Sequence, residues 1–288
     1  MKWEDERRSD NVEDRRGFSV GRGGAIGGGA VIIALVAALL GAPPDVVRSL
    51  LGQGSGGPAQ TQPGPPGYPH SDDPETAKRV EFVKVVLAST EDVWGAVLPD
   101  SGRSYQRPKL VLFSDEVDSA CGLADAAVGP FYCPNDRHVY LDLSFFDELS
   151  RRFGAPGLFA EAYVVGHEVG HHVQNLLGIE GKIQRLRARA SDAESNRLSV
   201  ALELQADCFA GVWAFHANQT RHLLESGDVE DAVRAATAIG DDTLQRRARG
   251  RVMPETFTHG TSAQRVQWLR RGLANGRVAD CDTLSAGL

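Results

Sequence analysis

Residues 159–178 read FAEAYVVGHEVGHHVQNLLG, and this stretch decides both the fold and the chemistry. An apolar run of this length, free of Pro and closed by Gly178, predicts a buried helix over 158–177. Inside it, His167-Glu168-Val169-Gly170-His171 sets two imidazoles four residues apart, on one face of the helix. Both can therefore bind one metal ion. Glu168 is turned about 100° from His167, beside the metal and not on it, where it can take a proton from water that the metal activates. This is the logic of an H-E-x-x-H zinc site, so Zn2+ is the expected cofactor and Glu168 the expected catalytic base.

A catalytic zinc site needs a third protein ligand and an open position. The extended H-E-x-x-H-x-x-G-x-x-H spacing is excluded, because Gln174 and Leu177 occupy the places it requires. The best third ligand is Glu203, in ALELQADCFAG. Glu203 and Asp207 stand four apart on one face of a second predicted helix, over 192–220. Glu203 on zinc, with Asp207 behind a ligand imidazole, divides the labour between them. Alone, such a pair would read as a solvated acidic face. Here Leu202, Leu204, Ala206, Cys208, Phe209 and Ala210 surround it, and buried acids need a cation or a donor.

The other histidines carry less. His172 points away from the motif face and reads as structural. His216 and His222 read as surface or core residues, His138 lies in a strand region, and His70 lies in a solvated spacer. His259, in FTHGTSAQR, is the exception: a histidine near the zinc can stabilise the oxyanion of the transition state. The competing reading is a loop histidine followed by Thr261 or Ser262 capping the next helix. Arg265, Tyr132 and Tyr140 are weaker candidates for the same task.

Working outward, Lys109–Phe113 and Val139–Leu143 read as short strands, and strand signals end near residue 143. Helices are expected over 75–98, 143–152, 158–177, 192–220, 228–239 and 262–274. A small sheet followed by a helical bulk gives an α+β class. Within 288 residues, 42% are apolar and 24% charged, as in globular proteins, and the net charge of -7 argues against nucleic acid as a partner.

Residues 23–42, GGAIGGGAVIIALVAALLGA, contain no charge. As a helix they would be roughly 30 Å long, enough to cross a bilayer, and the polar leader before them is long for a signal peptide. Lys2, Arg7, Arg8, Arg15, Arg16 and Arg22 precede the segment, and only Arg48 follows closely. The positive-inside rule then leaves residues 1–22 in the cytoplasm and the rest outside the cell membrane. Residues 43–73, rich in Gly, Pro, Ser and Gln, read as a flexible linker to a folded domain over 74–288. Cys121, Cys133, Cys208 and Cys281 all lie on the exported side, and an even count there suggests two disulfides. Three connectivities are open. A local Cys121–Cys133 pair would leave Cys208 with Cys281.

Beyond these motifs, the chain resembles the bacterial neutral zinc metallopeptidase family, membrane-anchored proteins of the zincin type. The matching stretches are WEDERRSDNVEDRRG, STEDVWG, GPFYCPNDRHVYLDLSFFDEL, AYVVGHEVGHHVQNLLGIE, NRLSVALELQADCFAGVWA, AIGDDTLQ and FTHGTSAQRVQWLRRG. The resemblance implies His167, His171 and Glu203 as metal ligands, Glu168 as the catalytic residue and a zincin-like fold. It does not reach His259. The sequence thus points to a membrane-tethered zinc peptidase acting on protein or peptide substrates. The competing reading is a non-catalytic zinc-stabilised binding module on the same tether; a third keeps the chemistry but cuts another amide, such as a cell-wall peptide.

Overall fold

The computed structural model describes residues 1–17 and 73–286. The expected anchor at 23–42 and, apart from Asp73, the linker at 43–73 lie outside the described residues. Among the described residues, eight α-helices and two small sheets make a mixed, mostly helical fold, in keeping with the α+β expectation.

The sheet has four strands in the order β1 (Val12–Asp14), β2 (Lys109–Phe113), β6 (His138–Asp142), β5 (Phe131–Cys133). β1 and β6 flank β2 in parallel, and β5 runs antiparallel to β6 at the far edge. Its two faces follow the period-2 alternation of strand side chains. Leu110, Leu112, Val139 and Leu141 face the main helical core. Val111, Phe113 and Tyr140 face a smaller core, which the hairpin β3 (Glu116–Ser119) and β4 (Gly122–Asp125) covers with Val117 and Ala124. A disulfide between Cys121 and Cys133 ties the hairpin turn to β5.

Helix α1 (Pro74–Val97) starts where Asp73 accepts the Thr76 N–H and Pro74 takes the first turn. Helix α2 (Ser144–Arg151) follows β6, and α3 (Leu158–Leu177) carries the HEVGH motif. Gly178, in the left-handed region at φ 76°, ends α3 and opens α4 (Ile179–Arg187). Helix α5 (Asp192–Arg221) is long and apolar enough to cross a membrane, yet 78% of its most apolar window is buried, so it is the core helix of the domain. Helices α6 (Asp228–Ala238), α7 (Asp241–Arg249) and α8 (Ser262–Asn275) complete the bundle. Thr261, not Ser262, caps α8, in a reciprocal capping box with Gln264. A second disulfide joins Cys208 on α5 to Cys281 in the closing 3-10 turn.

Glycines set how closely α5 meets its neighbours. A methyl group on Gly170 of α3 would lie 2.8 Å from the Ala206 carbonyl oxygen, and one on Gly166 would lie 2.7 Å from the Trp213 ring. On the opposite side, a methyl group on Gly272 of α8 would lie 2.0 Å from the Cys208 carbonyl oxygen. The helix bearing Glu203 and Asp207 is thereby pressed between the helix of the two histidines and α8.

The domain also extends further toward the amino terminus than the boundary at residue 74. Residues 1–17, expected as a segment apart from the domain, are part of it. β1 pairs with β2 in register from Val12 opposite Leu110, and Trp3 packs edge-on against Phe82. Its strand signal was hidden: VED is three residues long and two of them are acidic.

Candidate metal centre

Helices α3 and α5 bring His167, His171 and Glu203 together, with one donor atom from each lying within 4.8 Å of the others. His167 Nε2 is 3.2 Å from one Glu203 carboxylate oxygen, and His171 Nε2 is 3.5 Å from the other. Tetrahedral bonds of 2.0–2.1 Å place ligand atoms about 3.3 Å apart, so this spacing suits one zinc ion. The donor chemistry fits as well. Both imidazoles present Nε2 to the shared point, and each Nδ1 is engaged behind.

His167 Nδ1 lies 2.8 Å from Asp207 Oδ1. Asp207 is fully buried and also accepts the Tyr163 hydroxyl at 2.5 Å and two Arg265 N–H groups at 2.9 Å. Burial pushes its carboxyl up, but the charges of Arg265 and His167 outweigh this and hold the pKa at about 2. Asp207 therefore stays ionised and keeps the proton of His167 on Nδ1. Arg265, weighed from sequence as an oxyanion donor, has a different place: only 2% exposed, it sits behind Asp207 as its counter-ion. Burial likewise raises Glu203, and the opposing charge of His171 with hydrogen bonds from both histidines brings it well below the usual carboxylate range.

Glu168 is 7% exposed and stands next to the ligand group without belonging to it. Its pKa is raised, chiefly by burial, with His167 and His171 only partly opposing. A carboxyl raised in this way is a better proton acceptor than an ordinary glutamate.

His259 lies on the loop before α8 with half its side chain exposed. Asp241 organises that loop: its Oδ2 accepts the backbone N–H groups of Thr258, His259 and Gly260 at 2.8, 2.7 and 3.1 Å. Its Oδ1 lies 3.2 Å from His259 Nδ1, leaving Nε2 as the outer atom of the ring. The Asp241 hydrogen bond and the charge of Glu203 raise the His259 pKa against the opposing effect of desolvation.

The remaining candidates are engaged elsewhere. Tyr132 bonds the fully buried His172 and accepts from Asn175, while Tyr140 donates to Asp136. Burial lowers the His172 pKa to about 4, as befits a neutral core residue. His216 bonds the Gly276 carbonyl, and His222 ends α5 in the left-handed region. Tyr163 and Asp241 were not singled out from sequence. Tyr163 could have been found, since it precedes His167 by four residues and so shares its helix face. Asp241 reaches His259 only through the fold.

Residues 1–284 match the family described as "Putative neutral zinc metallopeptidase". The chain is 46% identical to the uncharacterized protein YpfJ of Escherichia coli K12, over all of both chains. It is 42% identical to the uncharacterized protein Rv2575 of Mycobacterium tuberculosis H37Rv, over 82% of this chain and 85% of that one. No solved structure matches.

Proposed function

The chain belongs to the neutral zinc metallopeptidase family, and we propose that it hydrolyses peptide bonds at a zinc ion held by His167, His171 and Glu203. The observation that carries this reading is the convergence of both Nε2 atoms on the Glu203 carboxylate, with Glu168 beside the group and outside it. When bound there, zinc supplies Lewis acidity to the substrate carbonyl and to water. Glu168 takes a proton from the attacking water as its oxygen bonds to the carbonyl carbon. It then delivers that proton to the amide nitrogen as the C–N bond breaks, leaving a carboxylic acid, which keeps the second water proton, and an amine. His259, steadied by Asp241, turns Nε2 toward the carbonyl oxygen and stabilises the negative charge that develops on it. Asp207, with Arg265 and Tyr163, holds the His167 ring in position throughout.

The sheet suggests how a substrate is held. β5 is an antiparallel edge strand that packs against α3, and Tyr132 from β5 touches His172 in the residue after the motif. An extended peptide can add to such an edge by main-chain hydrogen bonds, which favours peptide substrates in a zincin-like arrangement.

The test is a peptide-library cleavage assay on the full chain, with and without a zinc chelator. Cleavage should require zinc. Glu168→Gln should abolish it while zinc binding persists, and turnover retained by Glu168→Gln would refute the mechanism. Zinc binding by the wild-type chain without any cleavage would favour the non-catalytic module instead.

A further inference from the structure

We propose that Gln174 and Gln205 are positioning residues for His171, joining its imidazole to the disulfide-clamped carboxyl-terminal turn. The inference rests on His171 being a zinc ligand. His167 and His171 are held from behind by different means. His167 has the charged Asp207, whereas His171 Nδ1 lies 2.9 Å from the side-chain oxygen of Gln174.

Gln174 is fully buried, and its amide cannot be turned over. Its Nε2 donates to the Leu202 carbonyl at 2.7 Å and to Gln205 Oε1 at 3.1 Å, so its oxygen must face His171. Gln205, 5% exposed, is fixed in the same sense, because its Nε2 donates to the Cys281 carbonyl at 2.8 Å. A carbonyl only accepts. The direction of every bond in the chain Cys281–Gln205–Gln174–His171 therefore follows from its far end. The last link requires a proton on His171 Nδ1 and leaves Nε2 free for metal.

The far end is itself held. Cys281 is fully buried and bonded to Cys208, which follows Asp207 on α5. Thr283, 1% exposed, donates through its hydroxyl to the Ala201 carbonyl at 2.7 Å. The carboxyl-terminal turn is thus a fixed backstop for a neutral relay reaching a metal ligand, and the Cys208–Cys281 disulfide keeps it in place.

The experiment measures zinc affinity of the full chain by competition with a chromogenic chelator, alongside the denaturant midpoint of the metal-free protein. Gln174→Met and Gln205→Leu should each weaken zinc binding about 10-fold or more, the usual effect of losing a partner behind a ligand. The Cys208→Ser/Cys281→Ser pair should weaken it in the same direction with both glutamines intact. Wild-type affinity in Gln174→Met and Gln205→Leu would overturn the proposal. A readout independent of folding variants is the nitrogen-15 spectrum of zinc-loaded wild-type protein. His171 should carry its proton on Nδ1, and a proton on Nε2 would overturn the relay. Failure of the wild-type chain to bind zinc at all would refute the zinc reading, an outcome distinct from unchanged affinity in the variants.

A second, independent observation concerns the amino-terminal strand, and from it we infer that residues 1–17 share a compartment with the metal site. The Glu91 side chain is fully buried and accepts from Ser9 Oγ at 2.6 Å, Asn11 Nδ2 at 2.6 Å and Arg7 Nη2 at 2.8 Å. These close donors all come from the amino-terminal segment, and a buried carboxylate stripped of them would be left without compensation. The arginines counted above as cytoplasmic charges are paired here: Arg7 with Glu91 and Asp92, Arg8 with Glu81, Arg15 with Glu13 and Arg16 with Asp14. A strand cannot pair with its sheet across a bilayer, so the opposite-side placement read from charge bias conflicts with β1.

The test introduces single cysteines at the exposed positions Asp10 and Asp192 of the full chain, whose native cysteines are all paired among the described residues. A membrane-impermeant maleimide applied to intact cells should label both positions or neither. Labelling of one without the other, restored to both on permeabilisation, would overturn the inference.

Discussion

Gly272→Ala tests whether the crossing of α5 and α8 holds the metal centre together. The added methyl would meet the Cys208 carbonyl oxygen at 2.0 Å and the Val212 nitrogen at 2.7 Å. Carbon–oxygen contacts settle at about 3.3 Å or more, so the two helices must part by about 1 Å. Both clashing atoms are backbone, and no side chain can swing aside. Overpacking of this kind costs about 3 kcal/mol, and the helix preference of Ala over Gly offsets about 1 kcal/mol of it. The net loss of about 2 kcal/mol corresponds to a fall in Tm of about 4–8 °C for a domain of this size. The separation also strains the bonds of about 2.9 Å from Arg265 on α8 to Asp207 on α5. Zinc affinity should therefore fall about 10-fold, the lower end of the effect expected when the residue behind a ligand is disturbed. Guanidinium unfolding, read as a midpoint shift at constant slope, checks the stability arm, and chelator competition checks the metal arm. Gly95→Ala is the control. It is an exposed glycine of α1 whose added methyl meets nothing within 4 Å, so it should stabilise by about 1 kcal/mol. Equal midpoint shifts in the two variants would refute the close-crossing argument.

Asp207→Asn leaves Arg265 buried without its counter-ion, so we expect a loss of about 3 kcal/mol in chemical denaturation and zinc binding weakened about 10- to 100-fold. Glu161 has its pKa raised to about 7, chiefly by burial, with Asp147 adding to it and Arg79 opposing. Its folded-state pKa lies above the unfolded value of 4.5, so its contribution is fully present below pH 4.5 and is lost as the pH rises through 7. Above that window the wild type should be about 3 kcal/mol less stable relative to Glu161→Gln than it is at pH 4, and a pH-independent difference in urea midpoints would contradict this. The two disulfides close loops of different length, with sequence separations of 73 for Cys208–Cys281 and 12 for Cys121–Cys133. Loop-closure entropy then predicts losses of about 4 and about 3 kcal/mol for the paired serine variants, ranked by thermal unfolding.

Much of the fold was legible because the signals were long and local. The helices expected over 158–177, 192–220, 228–239 and 262–274 correspond closely to α3, α5, α6 and α8, and KLVLF is β2 residue for residue. What escaped was short or charged. Helix α7, DDTLQRRAR, has no apolar stripe to betray it, and α4 is a brief appendage to α3. β1 and β5 have three residues each and exist only because neighbouring strands pair with them.

The candidate site divides along the same line. Spacing alone puts His167 and His171 on one helix face and Glu203 and Asp207 on another, because a helix repeats every 3.6 residues whatever surrounds it. Sequence also shows that acids among Leu202, Leu204 and Phe209 need partners. It does not show which partners, since a contact between helices depends on how closely they cross. That closeness is set by Gly166, Gly170 and Gly272, whose missing side chains do not say which helix will lie against them. Only the tertiary structure turns Arg265 from an oxyanion candidate into the counter-ion of Asp207, brings Asp241 to His259, and joins Gln174 through Gln205 to Cys281. It also gathers residues 1–17 into the sheet, through main-chain hydrogen bonds that almost any sequence can make and that therefore leave little trace in this one.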